Sequence, residues 1–283
     1  MLRVPSEIAD DHFESLKIQE LTFVAYRSDV YPSKNEVFFE ENAVIYVIEG
    51  EKKFTGTTET ITVKKGDVFF VRRGYYLMSE SIDESYKSLV FFFDENLIKD
   101  FVNQHLELFP EEKMAEKELP TLLILPTDEK FGKFAESVLP YFRSKTKYLH
   151  HFLKLKLQEL LLHLLEYDNG DFLKALLHEI YRGEKADLDY LMQNYYLKPL
   201  TLNELARLSG RSLSAFKREF QEKFDSSPAS WIREKRLKHA AFLLKNSQKH
   251  VNEIAEEVGF ESVSHFIKAF KGRFGKTPAK FSD

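Results

Sequence analysis

The sequence predicts an α+β protein in two parts: an N-terminal β-barrel with flanking helices, and a C-terminal all-α domain with two helix-turn-helix motifs. Three observations predict it. Residues 20–93 hold short β-branched and aromatic runs divided by turns, apolar residues recur at helical spacing from Glu95 onward, and one pattern occurs twice beyond residue 200.

The strands come first. Leu21–Tyr26, Val44–Ile48, Ile61–Val63, Val68–Val71 and Ser88–Phe93 are separated by Glu49-Gly50-Glu51, Lys65-Gly66-Asp67 and Arg73-Gly74. Many short strands with frequent turn signals suit a barrel or sandwich. Helices are then expected over Asn96–Leu106, over Asp128–Ser144 with an interruption near Pro140, and over Thr146–Tyr167, which Asp168-Asn169-Gly170 breaks. A shorter helix over Asp171–Tyr181 leads to Arg182-Gly183-Glu184-Lys185. Polar residues around that glycine suit a linker. The expected domains are therefore 1–182, with the barrel over about 20–93 and helices over about 95–181, and 183–283.

The repeat dominates the C-terminal part. Leu202-Asn203-Glu204-Leu205-Ala206 matches Val251-Asn252-Glu253-Ile254-Ala255, and Gly210 matches Gly259 at the same offset of 49. One inserted residue then makes the offset 50, which pairs Ser212 with Ser262, Phe216 with Phe266, Phe220 with Phe270, Phe224 with Phe274 and Pro228-Ala229 with Pro278-Ala279. Each copy reads as a short helix (Asn203–Leu208, Asn252–Val258), a glycine where φ must be positive, a serine N-cap, and a second helix with phenylalanines four apart on its buried stripe. The outer faces carry Ser212, Ser214, Lys217, Arg218 and Gln221 in the first copy, and Ser262, Ser264, His265, Lys268 and Lys271 in the second. Hydroxyls and long donors on one face suit a helix in a major groove, the recognition helices being about 212–224 and 262–274. Two copies with matched outer faces favour DNA binding over a pair of solvated hairpins. Between them Pro228–Lys245 reads as one helix, roughly 27 Å long at ~1.5 Å per residue. Its run Arg233-Glu234-Lys235-Arg236-Leu237-Lys238 fits either phosphate contact or a solvated face.

Charge and composition agree. From Glu184 onward 18 Lys and Arg oppose 13 Asp and Glu, a net of +5, whereas 23 oppose 32 before it, a net of −9. The basic part can approach a polyanion; the acidic part cannot. With no cysteine, disulfides, thiolate nucleophiles and Cys-ligated zinc are excluded. No apolar run approaches the roughly 20 residues of a membrane helix, and Met1-Leu2-Arg3-Val4-Pro5 lacks the apolar stretch of a secretory signal. A cytoplasmic protein with no cofactor is expected.

These residues resemble the AraC/XylS family of bacterial transcription regulators, most clearly over about Leu188–Ser282. The match is Ile254-Ala255-x-x-Val258-Gly259-Phe260-x-Ser262, then Phe266-x-x-x-Phe270-x-x-x-Phe274-Gly275-x-Thr277-Pro278, with the family's basic residues at Lys271–Arg273. The N-terminal part is similar to that family's cupin-like β-barrel regulatory domain. Gly66-Asp67-Val68-Phe69-Phe70-Val71-Arg72-Arg73-Gly74 points to the ExsA-like branch, whose regulatory domains tend to contact proteins rather than sugars. The resemblance implies double-stranded DNA as a partner, RNA polymerase if the protein activates, and a small-molecule or protein effector.

The rival is a cupin-type binding protein or enzyme with an accessory helical domain. A barrel metal site needs His and carboxylate ligands. The nine histidines, at 12, 105, 150, 151, 163, 178, 239, 250 and 265, all lie outside residues 20–93, and His150-His151 point roughly 100° apart on a helix. Arg72-Arg73 could hold an anion but reads better as solvated. Finally, Thr146–Tyr167 carries more apolar residues than one stripe needs. Leu155, Leu161 and Leu162 form a surplus that a second copy of the helix, or the two preceding helices, would cover.

Overall fold

The computed structural model describes residues 1–8, 14–18, 21–28, 35–57, 59–80, 85–109, 120–144, 146–166, 170–183 and 185–281. His12, the breaking residues Asp168-Asn169 and the linker residue Glu184 lie outside them. The chain divides into two compact units, Met1–Glu184 and Lys185–Asp283.

The first unit holds two sheets. One has five strands in the order β1 (Leu2–Val4), β4 (Asn35–Phe39), β9 (Gly74–Glu80), β6 (Glu51–Thr55), β7 (Thr60–Lys64). The other has six, in the order β11 (Leu122–Leu125), β8 (Val68–Val71), β5 (Asn42–Glu49), β10 (Tyr86–Phe93), β3 (Leu21–Ser28), β2 (Glu14–Ile18). Among the described residues these are two layers rather than a closed barrel, an arrangement compatible with a cupin-like jelly roll. Alternation explains the unbroken apolar runs. In β8 and β10, Phe69, Val71, Val90 and Phe92 enter a core shared with the five-stranded sheet. Their neighbours Val68, Phe70, Phe91 and Phe93 enter a second core on the opposite face. A sheet buried on both faces needs apolar residues at every position. Phe91 lies opposite Phe23 in register, the rings edge-to-face at 5.0 Å.

Four helices cover that second face: α1 (Glu95–Gln104), α2 (Glu129–Val138), α3 (Leu149–Leu165) and α4 (Gly170–Arg182). Asp94 and Asp128 cap α1 and α2 by accepting from the N–H groups two and three residues on. Pro140 converts the end of α2 into a 3-10 turn, Leu139–Arg143, as the expected interruption requires. In α3, Leu153, Leu157, Leu160, Leu161 and Leu164 are buried. Leu161 therefore belongs to the core and not to the surplus face. Phe152, Leu155 and Leu162 stay exposed, Leu155 by 60%.

Arg72 and Arg73 differ from the solvated pair expected. The Arg72 guanidinium is hydrogen-bonded and ion-paired to Glu179 on α4. Arg73 pairs with Glu95 of α1 at 2.8 Å, and its N–H donates to Asn42 Oδ1 at 2.9 Å. Carboxylates on the covering helices take both cations, so neither stands free for an anionic ligand.

The second unit is helical: α5 (Leu188–Tyr195), α6 (Leu202–Leu208), α7 (Leu213–Phe224), α8 (Pro228–Asn246), α9 (Val251–Glu257), α10 (Val263–Phe274) and α11 (Pro278–Phe281). It has two cores. Leu188, Leu191, Met192, Leu205, Ala206, Phe216 and Phe220 form the first, with Trp231 and Ile232 of α8 packed on it. Ile254, Ala255, Val258, Phe266 and Phe270 form the second, with Leu237, Ala240 and Leu244 of α8. The two copies of the repeat are thus two small folding modules sharing one helix. At 19 residues and ~1.5 Å per residue, α8 is about 28 Å long.

Candidate nucleic-acid interface

Each module is a helix-turn-helix whose local chemistry repeats. Thr201 and Glu204 close a capping box at α6, the Thr201 N–H donating to Glu204 Oε2 at 2.6 Å and the Glu204 N–H to Thr201 Oγ1 at 3.2 Å. At α9 the His250 N–H donates to Glu253 Oε2 at 2.7 Å. The turns pass through Gly210 (φ 68°) and Gly259 (φ 78°), the left-handed region that glycine enters without steric cost. Ser212 then caps α7, its Oγ accepting from the Ala215 N–H at 3.2 Å, and Ser262 caps α10, accepting from the His265 N–H at 3.1 Å. A hydroxyl that accepts in this way keeps its own proton for donation. Both second helices end in left-handed residues, Asp225 (φ 48°) and Gly275 (φ 74°).

The buried stripes are Phe216 and Phe220 on α7 and Phe266 and Phe270 on α10, all fully buried. Every residue expected on the opposite face is exposed: Ser212, Ser214, Lys217, Arg218 and Gln221 on or capping α7, and Ser262, Ser264, His265, Lys268 and Lys271 on or capping α10. The His265 ring lies 5.7 Å from Phe260, which orients it beside the turn.

Charge pairing separates two kinds of cation. Arg211, Lys223, Arg273 and Lys185 are spent within the unit. Arg211 Nε donates to Glu219 Oε2 and Lys185 Nζ to Glu219 Oε1, each at 2.8 Å. Those two partners, Lys185 first, pull the Glu219 carboxyl down from 4.5 to about 2. Lys223 reaches Asp189 at 2.6 Å and Asp187 at 2.9 Å, and Arg273 reaches Glu234 at 2.8 Å. Lys217, Arg218, Lys268 and Lys271 make no ion pair among the described residues. Solvated cations with no internal carboxylate are available to an external anion.

Arg236 departs from the sequence reading of its basic run. Its Nε donates to the Tyr196 carbonyl at 2.7 Å, Nη2 to the Lys198 carbonyl at 2.8 Å, and Nη1 to the Gly259 carbonyl. Burial lowers its pKa below the ordinary guanidinium value. In the same run Lys235 lies over the Trp231 ring at 4.9 Å and Lys238 pairs with Glu234 at 3.3 Å, leaving Arg233 exposed. Among the described residues no group of three or more His, Asp or Glu is placed to hold a metal ion, and no helix is long and apolar enough to cross a membrane.

A β-rich domain followed by two helix-turn-helix modules on one shared helix defines a DNA-binding transcription regulator with an N-terminal regulatory domain. Known proteins bear this out. The family model described as the ExsA N-terminal regulatory domain matches residues 42–176, and a helix-turn-helix domain model matches residues 205–283. The chain thus carries an ExsA-type N-terminal regulatory domain and an AraC-type helix-turn-helix domain, and the proteins it is similar to are regulators of the AraC family. It is 28% identical over 250 residues to the HTH-type transcriptional regulator ExsA of Pseudomonas aeruginosa, covering 85% of this chain and 86% of that one. It is 27% identical over 241 residues to the virulence regulon transcriptional activator VirF of Yersinia enterocolitica, covering 85% and 88%. An apo crystal structure of ToxT from Vibrio cholerae aligns over 94% of this chain and 97% of that one, with a TM-score of 0.46 and 14% identity.

Proposed function

We propose that α7 and α10 enter successive major grooves of double-stranded DNA and read an operator of two half-sites. The repeated outer face supports this reading: matched hydroxyls and unpaired cations stand on both helices, while nearby cations are spent on structure. Lys217 and Arg218 read or flank the bases of one half-site, and His265 and Lys268 those of the other. Gln221 and Lys271 extend each contact by a turn. Ser212, Ser214, Ser262 and Ser264 donate to phosphates at the helix N-termini, where the backbone also favours anions.

The N-terminal unit serves as the regulatory part, sensing a small-molecule or protein effector, self-associating, or both. The exposed stripe of Phe152, Leu155 and Leu162 on α3 favours a homodimer through a second copy of that helix. We read the protein as a cytoplasmic, non-catalytic activator that meets RNA polymerase at its promoters, in line with the activator VirF to which it is similar.

The test is binding of the full chain to an operator selected on the wild-type protein. Arg218→Ala and Lys268→Ala should each weaken it by ~1–3 kcal/mol and relax specificity at one position. If both variants bind as tightly and as selectively as wild type, the assignment of these faces is wrong.

A further inference from the structure

We propose that Arg236 is a positioning residue for operator recognition: it locks the two helix-turn-helix modules at one mutual angle and thereby sets the half-site spacing that the protein accepts. This rests on the reading of α7 and α10 as groove-reading helices.

The need for a lock follows from how α8 is shared. Trp231 and Ile232 belong to the first core, Leu237, Ala240 and Leu244 to the second. Each module therefore grips its own stretch of α8, and side-chain packing alone would resist either one rolling about the helix axis. Arg236 leaves α8 at the boundary between those stretches. Two of its bonds go to the carbonyls of Tyr196 and Lys198, in the α5–α6 loop of the first module; the third goes to the Gly259 carbonyl, in the turn of the second. Leu197, in the same loop, packs into the second core.

The fit is close enough to dictate residue type on both sides. A Cβ at Gly259 would meet Arg236 Cζ at 2.8 Å and the Leu197 carbonyl oxygen at 2.9 Å, so the glycine is what admits the guanidinium. A guanidinium carries five N–H donors in a planar fork and can face three carbonyls at once. A lysine ammonium is a compact point donor and cannot span the same set. The tie crosses between modules, whereas the N-cap bonds of α7 and α10 stay within one.

Spacing is the property such a tie controls. One inserted base pair moves two half-sites apart by about 3.4 Å and rotates one against the other by about 35°. Two readers held at a fixed angle cannot follow both changes. Readers free to roll about α8 can absorb much of the rotation.

The experiment uses the full chain and the operator selected on wild type, together with versions carrying one base pair inserted or deleted between the half-sites. Wild type should bind both altered operators at least about tenfold more weakly. Arg236→Met should bind all three within about threefold, while base substitutions inside either half-site keep their wild-type penalties. Arg236→Lys, which retains charge and donors but not the fork, should fall between and covers the case in which the Met variant does not fold. A folded Arg236→Met or Arg236→Lys protein with wild-type spacing selectivity overturns the lock. A wild-type protein that tolerates every spacing or protects one half-site overturns the two-groove reading itself, a result distinct from the first.

Discussion

Gly259→Ala should destabilise the DNA-binding half far more than the same change at Gly275, although the two glycines share nearly one backbone conformation. Their φ values are 78° and 74°. Placing an L side chain in the left-handed region costs roughly 1–2 kcal/mol wherever it happens. At Gly275 nothing lies within 4 Å of the added Cβ, so that cost is the whole effect. At Gly259 the Cβ also meets the Leu197 carbonyl oxygen at 2.9 Å and Arg236 Cζ at 2.8 Å. The first neighbour is backbone and cannot step aside, and the second is held by three carbonyls. Losing one charge-assisted bond of that set adds about 1.5–3 kcal/mol, so Gly259→Ala should cost about 2.5–5 kcal/mol in total. At about 4–8 °C per kcal/mol for a domain near 100 residues, Gly275→Ala lowers Tm by about 4–16 °C and Gly259→Ala by at least about 10 °C. Trp231, the one tryptophan, sits against the first core and reports unfolding of this unit by fluorescence. Equal shifts for the two variants would refute the claim that the turn is closed around Arg236.

Three further outcomes follow. Glu219, Asp187 and Glu234 all have carboxyl pKa values held below the ordinary one by neighbouring cations. Such groups stabilise the fold above their unfolded pKa and lose that contribution as pH falls through the folded value, so the Trp231 signal should show stability declining from about pH 4.5 toward about 2, and Glu219→Gln should flatten the decline. DNA affinity should fall log-linearly with salt, and Lys271→Ala should reduce the slope by about 1 if that lysine meets a phosphate; an unchanged slope removes it from the interface. Sedimentation of the full chain should show a dimer that Leu155→Lys and Leu162→Lys dissolve; a wild-type monomer at high concentration would exclude a constitutive dimer through α3.

The helix-turn-helix modules were legible because their determinants are local. Gly210 and Gly259 need positive φ, Ser212 and Ser262 cap the next helix, and phenylalanines four apart mark one buried stripe. The unbroken apolar strands β8 and β10 were legible for a similar reason, since both faces are buried. Strand β6 was missed because Lys52 stands where an apolar residue is expected; it is buried with its ammonium 4.3 Å from both the Tyr26 and Tyr86 rings. Helix α5 was missed as a single short segment of eight residues directly after the linker. Arg72, Arg73, Leu161 and Arg236 were misplaced for one shared reason. Whether a charge or a surplus leucine is buried depends on which carboxylate, carbonyl or helix reaches it from far along the chain, and periodicity carries no record of those partners.

The central claim is that one chain reads two half-sites with two separate helices. Selection of bound sequences from a random double-stranded DNA pool, run in parallel on wild type, Arg218→Ala and Lys268→Ala, tests it most directly. Wild type should return two conserved blocks whose centres lie about 10 base pairs apart. Arg218→Ala should blur one block and Lys268→Ala the other. A single conserved block, or two variants that blur the same block, would contradict the account.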